Sequence, residues 1–349
     1  MSANLAERLA ARTLELVDVP SESREEAALA AHVEDVLRAG GVAVRDAGDG
    51  CLLAGVAAQG AAPVLLAGHL DTVPAQGNRP GRRDDGWIHG LGSSDMKGGL
   101  AVMIELALAG APLGFVFFGR EELPFTESSL TPLLEREQAL HDAQLGVVLE
   151  PTANAIQAGC LGNVNATWTF RGRSGHSARP WLADNAVHRA GRAIAAVSDV
   201  APVEHVFDGL TFTEVVSVTV VEGGIALNVI PATAVAKVNY RYPPGRSPDD
   251  AEAWLRELCE PHGELRIDGH APSAPVATAN PRVARLRERG LALEPKQAWT
   301  PVAELAAAGV DAVNLGPGDP AYAHRRDERV EIAALVRCYE VLEELARDG

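Results

Sequence analysis

At 349 residues the chain exceeds the size at which a single hydrophobic core stops growing, so two domains are expected. Hydrophobic residues at 47% and charged residues at 22% describe an ordinary globular chain, and the formal charge of −16 excludes standing affinity for nucleic acid or an anionic membrane surface, both of which need clustered Lys and Arg. Cys51, Cys160, Cys259 and Cys338 lie far apart without a CxxC pair, which indicates neither a disulfide framework nor a thiolate zinc site; with no apolar leader after Met1, the chain is expected in the cytoplasm.

In chain order, Leu5, Ala6, Leu9, Ala10, Leu16 and Val17 recur on one face of an amphipathic helix that Pro20 stops, and Ser21 with the acids after it predicts the opening of a second helix. Apolar runs at 51–57 and 63–67, a helix over 96–108, and strands at 113–118 and 145–149 follow. Continuous apolar strands between helices predict an α/β domain with a mostly parallel sheet covered on both faces. Near Asn163 the pattern changes to an alternating strand at 165–171, a helix at 184–197, strands at 215–221 and 229–242, a helix at 247–259 and a strand at 263–268. That order is the ferredoxin-like unit, inserted as a small α+β domain. Helices at 280–290, 301–308 and 330–346 and a strand at 312–315 complete the first domain; 76–87 is expected to be a surface loop. The expected boundaries are 1–162, 163–275 and 276–349.

Acids and histidines gather where these strands end. His69 and Asp71 follow an apolar run, and the pair suits an imidazole ligand whose other nitrogen a carboxylate orients. Asp95 precedes the helix over 96–108, Glu121-Glu122 ends the strand 113–118, Glu150 ends 145–149, and His324 stands in Ala323-His324-Arg325-Arg326-Asp327-Glu328. Each has a plainer reading when taken alone: Asp95 as a helix cap, Glu150 as a solvated strand end, and His324 with its acids as surface electrostatics. Together they supply two sets of three ligands, His69, Asp95 and Glu150, and Asp95, Glu122 and His324, for two zinc ions sharing Asp95 at about 3.5–4 Å from one another. Glu121 is left to act as the base.

Gly68-His69-Leu70-Asp71-Thr72-Val73-Pro74, Asp95-Met96-Lys97-Gly98-Gly99, Glu121-Glu122, Glu150-Pro151-Thr152 and His324 resemble the dinuclear zinc amidohydrolases that include aminoacylases, glutamate-type carboxypeptidases, acetylornithine deacetylase and succinyl-diaminopimelate desuccinylase. The resemblance covers essentially the whole chain. Gly175-His176-Ser177-Ala178-Arg179-Pro180-Trp181, Asp184-Asn185-Ala186-Val187-His188, Asn228-Val229-Ile230-Pro231 and Gly316-Pro317-Gly318-Asp319-Pro320 are most similar to the actinobacterial desuccinylases of that group. The resemblance implies removal of succinyl from N-succinyl-LL-2,6-diaminopimelate, with two Zn2+ that Co2+ or Mn2+ could replace. It implies that His176 comes from the inserted lid to support the oxyanion, that Asn228 and Arg241 bind substrate carboxylate, and that Arg179, Thr300 and Gly316 line the substrate site. It also implies a homodimer through the lid. Two departures bear on the acyl preference: Pro301 follows Thr300 where an aspartate is common, and Asn163 stands where Thr is usual. The rival readings are a deacylase or carboxypeptidase of the same family with another substrate, and a non-catalytic amino acid or peptide binder, against which the intact Glu121 argues.

Overall fold

The computed structural model describes residues 2–60 and 62–347. Two compact units emerge: the described residues of 1–159, 276–295 and 300–349, and those of 160–275 with 296–299. No described helix is long and apolar enough to cross a membrane, and all four cysteines are buried thiols.

The first unit is built on an eight-stranded sheet in the order Val44–Gly48, Cys51–Gly55, Gly114–Phe118, Val64–His69, Leu145–Val148, Ala312–Asn314, Ile156–Ala158 and Leu293–Pro295. The four strands from Gly114–Phe118 to Ala312–Asn314 run parallel, and antiparallel pairings flank them. Every residue of Val64–His69, Gly114–Phe118 and Leu145–Val148 is buried, as uninterrupted apolar strands covered on both faces must be. Fully enclosed Leu65, Leu66, Phe115, Phe117 and Val147 each contribute about 1.5–3 kcal/mol of apolar burial. The helix Gly98–Leu108 is buried from Gly98 to Ala107 and lies so close to the central strand that a Cβ on Gly68 would stand 2.8 Å from a Leu100 atom and 2.9 Å from the Met103 sulfur. Parallel strands end on one side of a sheet, so the segments after His69, Phe118, Val148 and Asn314 gather there.

Three expectations for this unit change. The helix expected from residue 96 begins at Gly98; Ser93–Lys97 is a wide turn in which Asp95 (φ −126°, ψ 92°) and Met96 (φ −132°, ψ 35°) are not helical, so Asp95 caps nothing. Ser21–Glu26 does not open the second helix, which is Ala27–Ala39; Glu22 instead bridges to Thr72. The stretch 76–87 includes a strand, Arg82–Asp84, paired with Trp87–His89.

The second unit is a five-stranded antiparallel sheet in the order Val203–Phe207, Leu210–Gly223, Thr233–Tyr242, Gly162–Arg171 and Glu264–Ala271. Without the first of these, the order and the two helices Ala186–Ser198 and Pro248–Cys259 make the ferredoxin-like arrangement. Residues of Thr233–Tyr242 alternate between buried and more exposed, which turns Ala234, Ala236, Val238, Tyr240 and Tyr242 onto the core shared with Trp168, Ala190 and Leu255. The helices start where side chains cap them: Asn185 accepts from Val187 and His188 N–H, and Ser247 from Asp250 N–H. The strand expected over 229–242 is broken by Pro231; Val229–Ile230 pairs instead with Gly175–His176.

Candidate metal centre

His69 is the last residue of its strand and is 1% exposed. Its Nδ1 lies 3.0 Å from the Asp71 main-chain oxygen and 3.6 Å from Asp71 Oδ1. A carbonyl oxygen can only accept, so Nδ1 carries the hydrogen and, in the neutral ring, Nε2 keeps its lone pair. Nε2 points at Asp95 Oδ1 at 3.1 Å and Glu150 Oε1 at 3.7 Å. Asp71 does more than orient this ring. Its carboxylate accepts from the Ser23 hydroxyl at 2.8 Å and from Glu121 and Glu122 N–H at 3.0 and 3.1 Å, tying the end of one strand to the segment after the next.

Asp95 stands between the two imidazoles. While Oδ1 faces His69, Oδ2 lies 3.5 Å from His324 Nε2, which is also 2.9 Å from Glu122 Oε1. His69, Asp95 and Glu122 offer ligand atoms within 4.8 Å of one another, as do His69, Glu121 and Glu150. The close histidine–carboxylate contacts follow the two sets read from the sequence, with Glu121 as near the His69 side as a ligand would be.

The electrostatics explain what such a cluster is for. Burial pushes the Glu121 carboxyl well above the usual range, reinforced by the Glu150 charge. Burial acts the same way on Asp95, yet hydrogen bonds from His324 and His69 hold it well below. His324 is pushed up to about 11 by Asp95 and Glu122, and His69 well above its ordinary value because Asp71 and Asp95 outweigh the opposing effect of burial. Four carboxylates, Asp95, Glu121, Glu122 and Glu150, converge where water is scarce, and such groups are costly unless paired. Two divalent cations would balance four carboxylates, and oxygen with imidazole nitrogen is the donor set that zinc takes. The residues fit the group.

The other residues singled out by sequence divide between the units. Gly316 is in the first: a Cβ there would lie 2.3 Å from the Leu149 oxygen, and its N–H and carbonyl oxygen both meet the Thr152 hydroxyl, so the main chain packs directly behind Glu150. Thr300, in the same unit, is 2% exposed just ahead of the helix Val302–Ala307. In the second unit, His176, Arg179 and Asn228 share one exposed corner, where Ser177 N–H donates to the Asn228 oxygen at 3.0 Å and Arg179 N–H to the His176 oxygen at 2.8 Å. Arg241 is elsewhere on that unit's sheet, half-buried, with Nε on Asn239 Oδ1 at 3.1 Å; burial lowers its proton affinity. Sequence reasoning missed Ser23, hidden in a segment that resembles a helix start, and Glu328, hidden in an acid pair that resembles a surface charge.

Residues 65–348 match the sequence model described as Peptidase family M20/M25/M40. The chain belongs to peptidase family M20. Among M20 relatives it is 37% identical over 340 residues, 95% of each chain, to a Mycobacterium tuberculosis protein provisionally named succinyl-diaminopimelate desuccinylase. It is 34% identical over 350 residues, 94% of each chain, to the succinyl-diaminopimelate desuccinylase of Corynebacterium glutamicum. The M20 fold is seen in a metallo-carboxypeptidase of Sulfolobus solfataricus, with TM-score 0.79, 16% identity and coverage of 97% of this chain and 98% of that one. The chain is an M20 family hydrolase.

Proposed function

We propose that the protein is a zinc-dependent amide hydrolase that removes succinyl from N-succinyl-LL-2,6-diaminopimelate, giving succinate and the free diamino acid. The observation that carries this reading is the Asp95 carboxylate, with one oxygen facing His69 and the other His324. The names of the two relatives supply the substrate.

His69, Asp95 and Glu150 would hold one zinc ion and Asp95, Glu122 and His324 the other. Bound there, the ions supply Lewis acidity toward the amide carbonyl and the attacking water. Glu121 takes the proton from that water and delivers it to the leaving amine. With ligand atoms of His69, Glu121 and Glu150 all within 4.8 Å of one another, the Glu121 carboxylate stands close enough to the cluster to hold the proton between the two transfers. Asp71 fixes the His69 ring and the main chain of Glu121. His176 supports the oxyanion, Arg241 and Asn228 receive substrate carboxylate, and Arg179, Thr300 and Gly316 line the substrate site. The second unit serves as a lid and as the contact between two copies. Exposed Trp181, Leu182, Ile225 and Leu227 support that contact, being apolar side chains that a partner would cover. A cytoplasmic location agrees with four thiols and no disulfide.

The test is hydrolysis by the zinc-loaded protein of N-succinyl-LL-diaminopimelate beside N-acetyl amino acids and dipeptides. The reading expects the highest kcat/KM on the succinyl substrate. A preference for an N-acetyl amino acid or a dipeptide moves the protein to another activity of its family, and binding without turnover of any amide makes it a binder.

A further inference from the structure

Glu328 is 2% exposed, four residues beyond His324. Its Oε2 accepts the Gly92 N–H at 2.8 Å, and its Oε1 accepts those of Ser94 at 2.9 Å and Asp95 at 3.0 Å. The turn needs these acceptors. Asp95 and Met96 depart from helical angles, and the turn is closed by Lys97 N–H on the Gly92 oxygen, at 2.7 Å, and by Gly98 N–H on the Ser93 oxygen. The N–H groups of Gly92, Ser94 and Asp95 are therefore left for something outside the turn to satisfy. Lys97, the buried lysine of this turn, has its Nζ on the Val19 oxygen at 2.8 Å. Glu328 is itself held in place, since its main-chain oxygen accepts the Gly90 N–H at 3.0 Å and the strand Arg329–Glu331 that follows pairs with Trp87–His89.

We propose that Glu328 is the positioning residue for Asp95: by gripping the main chain of Gly92, Ser94 and Asp95, it sets the direction in which the Asp95 carboxylate divides its oxygens between His69 and His324. The inference rests on the reading of Asp95 as the carboxylate shared by two cations. One loop thus contributes a ligand, His324, and fixes another. Since Asp95 belongs to both sites, loosening its turn weakens both ions together, whereas loss of Glu150 or Glu122 weakens one.

The experiment is a cobalt(II) titration against a competing chelator, followed by the cobalt absorption bands, on the wild-type protein, Glu328→Gln and Glu105→Gln. Glu105 is a 5% exposed carboxylate bonded by Arg8 and Arg12 outside the cluster, so it reports the general effect of removing a buried charge. In Glu328→Gln the amide NH2 must face at least one of the three N–H donors. Both cobalt equivalents should bind about 10–100-fold more weakly with altered bands, the cost typical of losing a group that orients a ligand, while Glu105→Gln leaves both unchanged. The melting temperature without metal should fall no further in Glu328→Gln than in Glu105→Gln. Unchanged affinity for both ions, or weakening of one alone, overturns the inference. Failure of the wild-type protein to bind cobalt overturns the metal reading itself. Hydrogen exchange of Gly92, Ser94 and Asp95 amides in the metal-free wild-type protein tests the grip without any substitution: slow exchange supports it, and exchange at open-loop rates refutes it.

Discussion

His69 closes a strand in which every residue is buried, and its side chain is 0% exposed with Nδ1 on a main-chain oxygen; His324 rides a loop, at φ 59°, with 52% of its side chain exposed. The loop is held by side chains from elsewhere: the Gln76 amide donates to the His324 oxygen at 3.0 Å and Asn78 to the Arg325 oxygen at 3.4 Å. One half of the cluster is therefore fixed by the sheet that makes the core, and the other by contacts that can be lost while the core stays intact. Stability and metal affinity are coupled on the His69 side and separable on the His324 side.

The largest effect belongs to the buried half. Glu121→Gln keeps the shape and removes the proton acceptor, so kcat should fall by about 10²–10⁴-fold while zinc content measured by atomic absorption is unchanged; near-normal turnover with both ions in place assigns the base elsewhere. Next comes the contrast between the histidines. Stripped of metal, His69→Ala should unfold more easily by about 3 kcal/mol, because its enclosed ring leaves a cavity beside carboxylates that water cannot readily reach, whereas His324→Ala, whose ring is 52% exposed and leaves room for water to solvate Asp95 and Glu122, should cost clearly less in urea unfolding and lose one equivalent of zinc. Equal losses of stability would erase the distinction between the halves.

Asp71→Asn tests how the sheet fixes the buried half. The amide can no longer accept from Ser23, Glu121 and Glu122 with both of its ends, and a drop of about 10–100-fold in kcat/KM is expected without loss of fold. The smallest effect is one of stability alone. Glu304, 2% exposed, accepts the Ser128 hydroxyl at 2.9 Å, and burial raises its carboxyl from 4.5 to about 7. A carboxyl whose folded value is raised contributes stability that is present below the unfolded value and lost as pH rises through the folded one, here between about 4.5 and 7. On going from pH 5 to pH 8, the metal-free wild-type protein should therefore lose on the order of 2 kcal/mol more than Glu304→Gln does in denaturant titrations. Parallel losses in the two proteins would contradict this assignment.

Much of the cluster was legible because its members end apolar runs. The runs at 63–67, 113–118 and 145–149 stop at His69, Glu121 and Glu150, and parallel strands that stop on one side of a sheet must bring such residues together. What stayed hidden depends on where loops meet. Ser-Ser-Asp before two glycines matches a helix cap in composition, and only the non-helical turn frees Asp95 to face both histidines. The hold of Asp71 on Glu121 and Glu122 is made by main-chain N–H groups, which leave no trace in residue type. Val203–Phe207, with Glu204 and His205 in its middle, has neither an apolar run nor a clean alternation, yet it pairs along the edge of its sheet in register with Leu210–Glu214.

The most direct measurement is calorimetric titration of zinc into the metal-free wild-type protein and its Asp95→Asn variant, both first verified as folded. The account predicts two zinc ions per chain in the wild type and loss of tight binding at both positions in the variant. A single zinc in the wild type, or two retained after the substitution, would contradict it.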